Sequence, residues 1–286
     1  MNEIFPFDDP TKNLRIVMAV EYVGRTYHGW QIQRSGVPTV QATLEKALSK
    51  VANQPVSTIV AGRTDAGVHA TNQIFHFDTS AQRSLYGWTM GVNGALPNDI
   101  SIKWAYEVDQ HFHARFSAKE RAYRFIIHNN WIKSAALDGL VTWEQHALDV
   151  SLMQQAANLL LGTHDFSSFR AAECQAHSPV KTLRELTIKR YGEFIVIQTR
   201  ADGFLHHMVR NLVGVLLPIG RGRKPVEYAQ HVLAAQNRNK GGVTAKGDGL
   251  YFVRAQYNQE GLPCEAAGPV FIQPLIDNDG QEFSPI

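Results

Sequence analysis

Three features of the chain predict an α+β fold. Short β-branched runs and helical runs with apolar residues three or four apart are interleaved, without the strict βαβ alternation of a parallel sheet. The length, 286 residues, is about twice that of an ordinary domain, which favours two structural units. Hydrophobic residues make up 44% and charged residues 19%, so the chain can build real cores and is not intrinsically disordered.

The elements follow in order. Residues 14–22 read as a strand from their β-branched content, and 23–29 as a turn rich in glycine and polar residues. Thr39 has the character of an N-cap, after which Val40, Leu44, Ala47, Leu48 and Val51 share one face of a helix. Strands are predicted at 57–61, 73–78 and 100–108, with a short helix over 85–92. The second half repeats the mixture, with strands at 121–128, 182–189, 194–200 and 249–254 and helices at 151–161, 204–217 and 226–235. The helix over 204–217 has the apolar stripe Leu205, Val209, Leu212, Val213 and Leu216. A boundary is expected between His113 and Ala118. It divides the chain into 1–115, 116–271 and an acidic tail at 272–286, whose composition allows disorder.

Several classes are disfavoured early. Cys174 and Cys264 are too few for a disulfide framework or a cysteine-only metal site, which fits a reducing cytoplasm. The start, MNEIFPFDDP, lacks the basic and apolar regions of a secretory signal. Gly214 and Pro218 interrupt the longest apolar stretch, which is far shorter than the roughly 20 residues of a membrane span. A soluble cytoplasmic protein is expected. The formal net charge of +2 hides an asymmetry: residues 1–10 and 255–286 hold eight acids and no base. Residues 11–254 therefore carry 28 bases against 18 acids, about +10, a charge that attracts polyanions such as nucleic acid.

The segment AGRTDAGVHA, residues 61–70, stands out. Gly62 and Gly67 bracket Arg63, Thr64 and Asp65 on a loop leaving a strand. In an extended segment Arg63 and Asp65 share a face, where the guanidinium favours the carboxylate anion. Such a carboxylate is a candidate nucleophile or general base, or it organises the turn through local hydrogen bonds. Twelve histidines invite a metal site. His111 and His113 have same-face strand spacing and His206 and His207 are adjacent, but no third ligand stands at a familiar spacing, so no metal is expected.

These residues carry a resemblance. GRTDAGVH resembles the active-site motif of the bacterial tRNA pseudouridine synthase A family. YHGWQIQ, HFHARFSAKERAYRF, DFSSFRAAECQ, FLHHMVRN and GDGLYFV resemble further family segments in the same order, over roughly residues 14–270. The resemblance implies a pseudouridine synthase fold, in which two ferredoxin-like halves join their antiparallel or mixed sheets around a central cleft. The activity it implies is isomerisation of uridine to pseudouridine at positions 38, 39 and 40 of the tRNA anticodon stem-loop, by a homodimer without cofactor or metal. Carried over by position, Asp65 is the catalytic aspartate and Arg63 the arginine beside it. Tyr123 contacts the target base, Arg210 approaches Asp65, and Leu250 walls the pocket. Elementary chemistry fits these roles. A carboxylate can trap the sugar at C1′ or add to C6 of the uracil, and a base extruded from a stem needs an aromatic surface to receive it. Basic residues cluster at Arg115, Lys119, Arg121 and Arg124; at Lys181, Arg184, Lys189 and Arg190; at Arg221, Arg223 and Lys224; and at Arg238, Lys240 and Lys246. A non-catalytic RNA binder and a nucleoside hydrolase are the competing classes; the second would want another carboxylate or a ligand set beside Asp65.

Overall fold

The computed structural model describes residues 13–174, 176–263 and 268–277. Strand β1 (Leu14–Tyr22) runs through the core, with Ile16 to Val20 almost wholly buried. Helix α1 (Val40–Ala52) begins where the Thr39 side chain accepts a hydrogen bond from the Ala42 amide, and it buries Val40, Leu44, Ala47 and Leu48. It ends at Asn53, whose φ of 54° is a left-handed conformation that asparagine tolerates. Then come β2 (Ile59–Val60), β3 (His69–Thr79), α2 (Leu85–Asn93) and β4 (Ile100–Val108).

The second half comprises β5 (Glu120–Asn129), β6 (Thr142–Glu144), α3 (Val150–Asn158), β7 (Gly162–Asp165), β8 (Val180–Tyr191), β9 (Phe194–Ala201), α4 (Met208–Gly220), α5 (Tyr228–Ala234), β10 (Leu250–Gln256) and α6 (Gln273–Asp277). All ten strands form one mixed sheet in the order β4-β1-β3-β10-β5-β9-β8-β7, with β2 on β3 and β6 on β5. The first half, β1-α1-β2-β3-α2-β4, lies in the sheet as β4-β1-β3-β2. The second, β5-α3-β8-β9-α4-β10, lies as β10-β5-β9-β8. Both are the ferredoxin-like βαββαβ arrangement, as expected.

The join between the halves positions the site. Strand β10 pairs in parallel with β3 over only Tyr251–His69 and Phe252–Ala70, while β2 takes the same edge of β3 further along, at Phe75 and His76. The loop from β2 to β3, residues 61–68, therefore emerges where the edge changes partner. Along β5, Tyr123, Phe125 and Ile127 point into the main core with the helices, while Ala122 and Ile126 face a smaller cluster containing Val253 and Ile272.

Several boundaries differ from the sequence expectation. Strand β3 starts at His69 rather than 73, because its buried polar residues His69, Thr71, Asn72 and Gln73 mask the strand signal. Helix α4 starts at Met208 rather than 204, because His207 takes a left-handed φ of 63° that no helix residue adopts. Ile272 is fully buried and Gln273 accepts a hydrogen bond from Arg124 (2.8 Å), so the expected tail at 272–286 begins as packed structure. Its remainder, 278–286, and the acidic start at 1–12 lie outside the described residues. Among the described residues no helix is long and apolar enough to cross a membrane.

Candidate active site

The loop carrying Asp65 is held from behind. The Gly62 carbonyl accepts from Gln73 Nε2 (2.7 Å), Thr64 Oγ1 shares a hydrogen bond with the Tyr22 hydroxyl (2.8 Å), and the Trp30 amide donates to the Thr64 carbonyl (3.0 Å). Gly29 makes this approach possible. Its φ is +87°, and a Cβ there would lie 2.6 Å from the Thr64 carbonyl oxygen. The YHGWQIQ segment thus serves as the backing of the Asp65 loop.

Asp65 meets three basic side chains from the other half. Arg210 Nη1 donates to Oδ2 at 3.1 Å, His207 Nε2 lies 3.5 Å from the same oxygen, and His206 Nε2 lies 3.3 Å from Oδ1. The carboxylate is 19% exposed, open enough to be reached from a cleft. Arg210 is aimed by a second bond, from Nε to the Ala245 carbonyl (2.7 Å), and the Ala245 amide donates back to the Arg210 carbonyl (3.1 Å). This loop sits directly on α4: a Cβ on Gly214 would fall 1.9 Å from the Val243 carbonyl oxygen. The left-handed turn at His207 brings the two imidazoles together, with ring centres 4.0 Å apart, above the start of α4. Behind them the Ala171 amide donates to the His206 carbonyl (2.9 Å) and the His206 amide to Cys174 Sγ (3.4 Å), which packs DFSSFRAAECQ against FLHH.

The expected pair of Arg210 and Asp65 is present. Arg63 is placed differently from the spacing argument: residues 61–68 form a loop and not an extended segment, so Arg63 is exposed and makes no ion pair with Asp65 among the described residues. Tyr123 stands on β5 with its ring edge-on to Phe204 (5.0 Å, 82°) and Phe252 (5.1 Å, 84°) and is 8% exposed. Burial, with a smaller contribution from the Asp65 charge, pushes its phenol well above the usual range. The hydroxyl is therefore a neutral donor at any physiological pH. Leu250 is buried at the start of β10, opposite Phe125.

The histidines are what sequence spacing missed. Asp65, 141 positions before His206, supplies the third ligand-type atom, and the three atoms lie within 4.8 Å of one another. The Arg210 guanidinium shares the same carboxylate, on Oδ2. Burial lowers the His207 pKa, opposed by the Asp65 charge. Adjacent histidines just before a helix were the visible signal.

The basic clusters divide. Arg121, Arg124, Arg190, Arg221 and Arg238 are engaged in the fold. Arg124 bonds Gln198 and Gln273, Arg190 bonds Asn129 and the Leu148 carbonyl, Arg221 bonds Glu144, and Arg238 bonds Asn211 and Thr244. Arg115, Lys119, Arg223, Lys224, Lys240 and Lys246 are exposed.

A carboxylate thus lies on the loop where two ferredoxin-like sheets join, held by an arginine from the opposite half. A family model described as tRNA pseudouridine synthase matches residues 18–117 and 156–258. The matched segments contain Arg63, Asp65, Arg210 and Leu250, and Tyr123 falls between them. A tRNA pseudouridine synthase A of Pseudomonas aeruginosa is 53% identical over 264 residues, covering 92% of this chain and 93% of the relative. Proteins of the same name from Aeromonas hydrophila and Legionella pneumophila are 50% and 47% identical over 260 residues, each covering 91% of this chain and 96% and 99% of the relative. A solved structure of an unknown protein from Galdieria sulphuraria aligns at 9% identity with a TM-score of 0.22, over 66% of this chain and 82% of that one. The chain belongs to the tRNA pseudouridine synthase family, whose members are isomerases.

Proposed function

We propose that this chain isomerises uridine to pseudouridine at positions 38, 39 and 40 of the tRNA anticodon stem-loop, with Asp65 as the nucleophile. The observation that carries the reading is the Asp65 carboxylate, presented on a loop between the two halves and paired with Arg210. The C1′–N1 bond breaks, the uracil turns, a C1′–C5 bond forms, and C5 gives up its proton while N1 gains one. A carboxylate serves this sequence by trapping C1′ or by adding to C6, and both routes leave the overall balance the same.

Tyr123 lies on the neighbouring strand, where its ring and neutral hydroxyl support contact with the extruded base. Arg63, exposed two residues before Asp65, is placed to meet RNA phosphate, and the buried Leu250 backs the pocket. The two halves, 1–115 and 116–271, are the two walls of one cleft. The enzyme works in the cytoplasm as a homodimer, with each tRNA spanning both subunits; exposed Trp131 (80%) and Ile132 (55%) support a further apolar contact.

The test is mass spectrometry of unmodified tRNA treated with the enzyme, followed by labelling specific for pseudouridine. Unchanged mass with label at positions 38–40 supports the reading. Loss of the base would indicate a hydrolase, and unlabelled tRNA of unchanged mass a binder.

A further inference from the structure

His207 holds a left-handed φ of 63°, a strained conformation for a residue with a Cβ, and the strain has a visible result. Two imidazoles and one carboxylate converge. His206 Nε2 lies 3.3 Å from Asp65 Oδ1, His207 Nε2 lies 3.5 Å from Oδ2, and one ligand-type atom from each of the three residues falls within 4.8 Å of the others. Among the described residues no other three such side chains come this close.

These separations have a chemical meaning. Ligand atoms about 2.0–2.2 Å from a tetrahedral metal stand about 3.3–3.6 Å apart, the spacing already present between each imidazole and the carboxylate. The His206 and His207 side chains are 37% and 29% exposed, so the rings can turn to close the third edge and an ion can reach them from the cleft. Burial shifts His207 towards its neutral form, which is the form that binds metal. Two imidazoles with one carboxylate suit a borderline divalent ion such as zinc, whereas magnesium prefers a shell of oxygens. Arg210 approaches Oδ2 and leaves Oδ1 to His206, so a metal on Oδ1 is compatible with the ion pair. The neighbouring guanidinium charge weakens the hold, to a Kd on the order of micromolar, weaker than in structural zinc sites.

We propose that Asp65, His206 and His207 form an inhibitory zinc site, with three protein ligands and the fourth position open to water. An ion bound there takes the carboxylate lone pair that attacks C1′ or C6, so zinc acts as a reversible blocker and not as a cofactor. The blocking rests on the functional reading above; the site itself does not.

The test titrates metal-free, full-length protein with zinc chloride against a chromophoric chelator of micromolar affinity. One zinc per chain is expected. His206→Ala, His207→Asn and Asp65→Ala should each weaken it about a hundredfold, no less than the loss of a partner outside the ligand set. Asparagine tolerates the left-handed turn, which keeps His207→Asn folded while removing the imidazole. Pseudouridine formation on tRNA should be lost at the zinc concentration that fills the site, return on adding EDTA, and persist when millimolar magnesium replaces zinc. Absence of binding, unchanged zinc affinity in the histidine variants, or full turnover with the site filled would overturn the proposal. If the metal-free enzyme forms no pseudouridine, the functional reading fails, while the chelator titration still decides the site.

Discussion

Arg210 and Asp65 are 145 positions apart in the chain and 3.1 Å apart in the structure, each contributed by a different ferredoxin-like half. The pair therefore exists only when both halves are folded and joined. Because Nε of Arg210 is committed to the Ala245 carbonyl, the guanidinium has one orientation, and its Nη1 is what reaches the carboxylate. Lysine has no planar fork to make both contacts. Arg210→Lys is expected to bind tRNA within about fivefold of the unaltered enzyme while losing about a hundredfold in kcat, the scale of one preorganised charge contact. Retained turnover would show that the pair is only a fastening between the halves.

Tyr123 gives a separable prediction. Tyr123→Phe keeps the ring packed between Phe204 and Phe252 and removes only the hydroxyl, so the melting temperature should stay within about 2 °C. Turnover should fall if the hydroxyl contacts the reacting base. With the phenol pushed upward by burial, the unaltered enzyme should show no alkaline limb from Tyr123 below about pH 10. An alkaline limb lost in Tyr123→Phe would contradict that environment.

Acid sensitivity is written into β3. His69 Nδ1 accepts from the Gly24 amide (3.1 Å) and Nε2 contacts the Asp248 carbonyl (3.2 Å), an arrangement that requires the neutral ring. Burial lowers its pKa to about 4 from 6.5. Because the folded value is depressed, the folded protein binds fewer protons than the unfolded chain. The stability from His69 is complete above pH 6.5 and is lost as pH falls towards 4, on the order of 2 kcal/mol by pH 5. Denaturant unfolding at pH 7.5 and 5 measures this, and His69→Gln should flatten the dependence. His76, also lowered to about 4, chiefly by burial, acts in the same direction.

Removing residues 278–286 should leave activity and stability unchanged and slightly tighten nonspecific RNA binding, if the acidic end competes for the basic surface. Cutting at 272 should destabilise the protein, because it takes away the buried Ile272 and the partner of Arg124. Filter binding on random RNA, beside thermal melting of both truncations, checks the pair of outcomes.

The site was more legible in the sequence than the boundaries of the fold. Asp65 and Arg210 lie in short motifs whose chemistry shows in residue type, whereas β3 hides because it buries His69, Asn72 and Gln73 as hydrogen-bonding groups that break the apolar pattern. Spacing pairs Arg63 with Asp65 because it describes an extended chain and not the loop that forms at the change of edge from β2 to β10. Arg121 and Arg124 fall in a basic cluster of the sequence, yet they bond carbonyls and an amide distant in the chain. His206 and His207 needed the left-handed turn at residue 207 to converge on Asp65, and no spacing rule contains that turn.

As the proposed nucleophile, Asp65 should be indispensable to the covalent chemistry and dispensable for holding the tRNA. Asp65→Ala, mixed with tRNA carrying uridine tritiated at C5, should bind the tRNA with near-normal affinity and release no tritium to water. Substantial tritium release by this variant would remove Asp65 from its role.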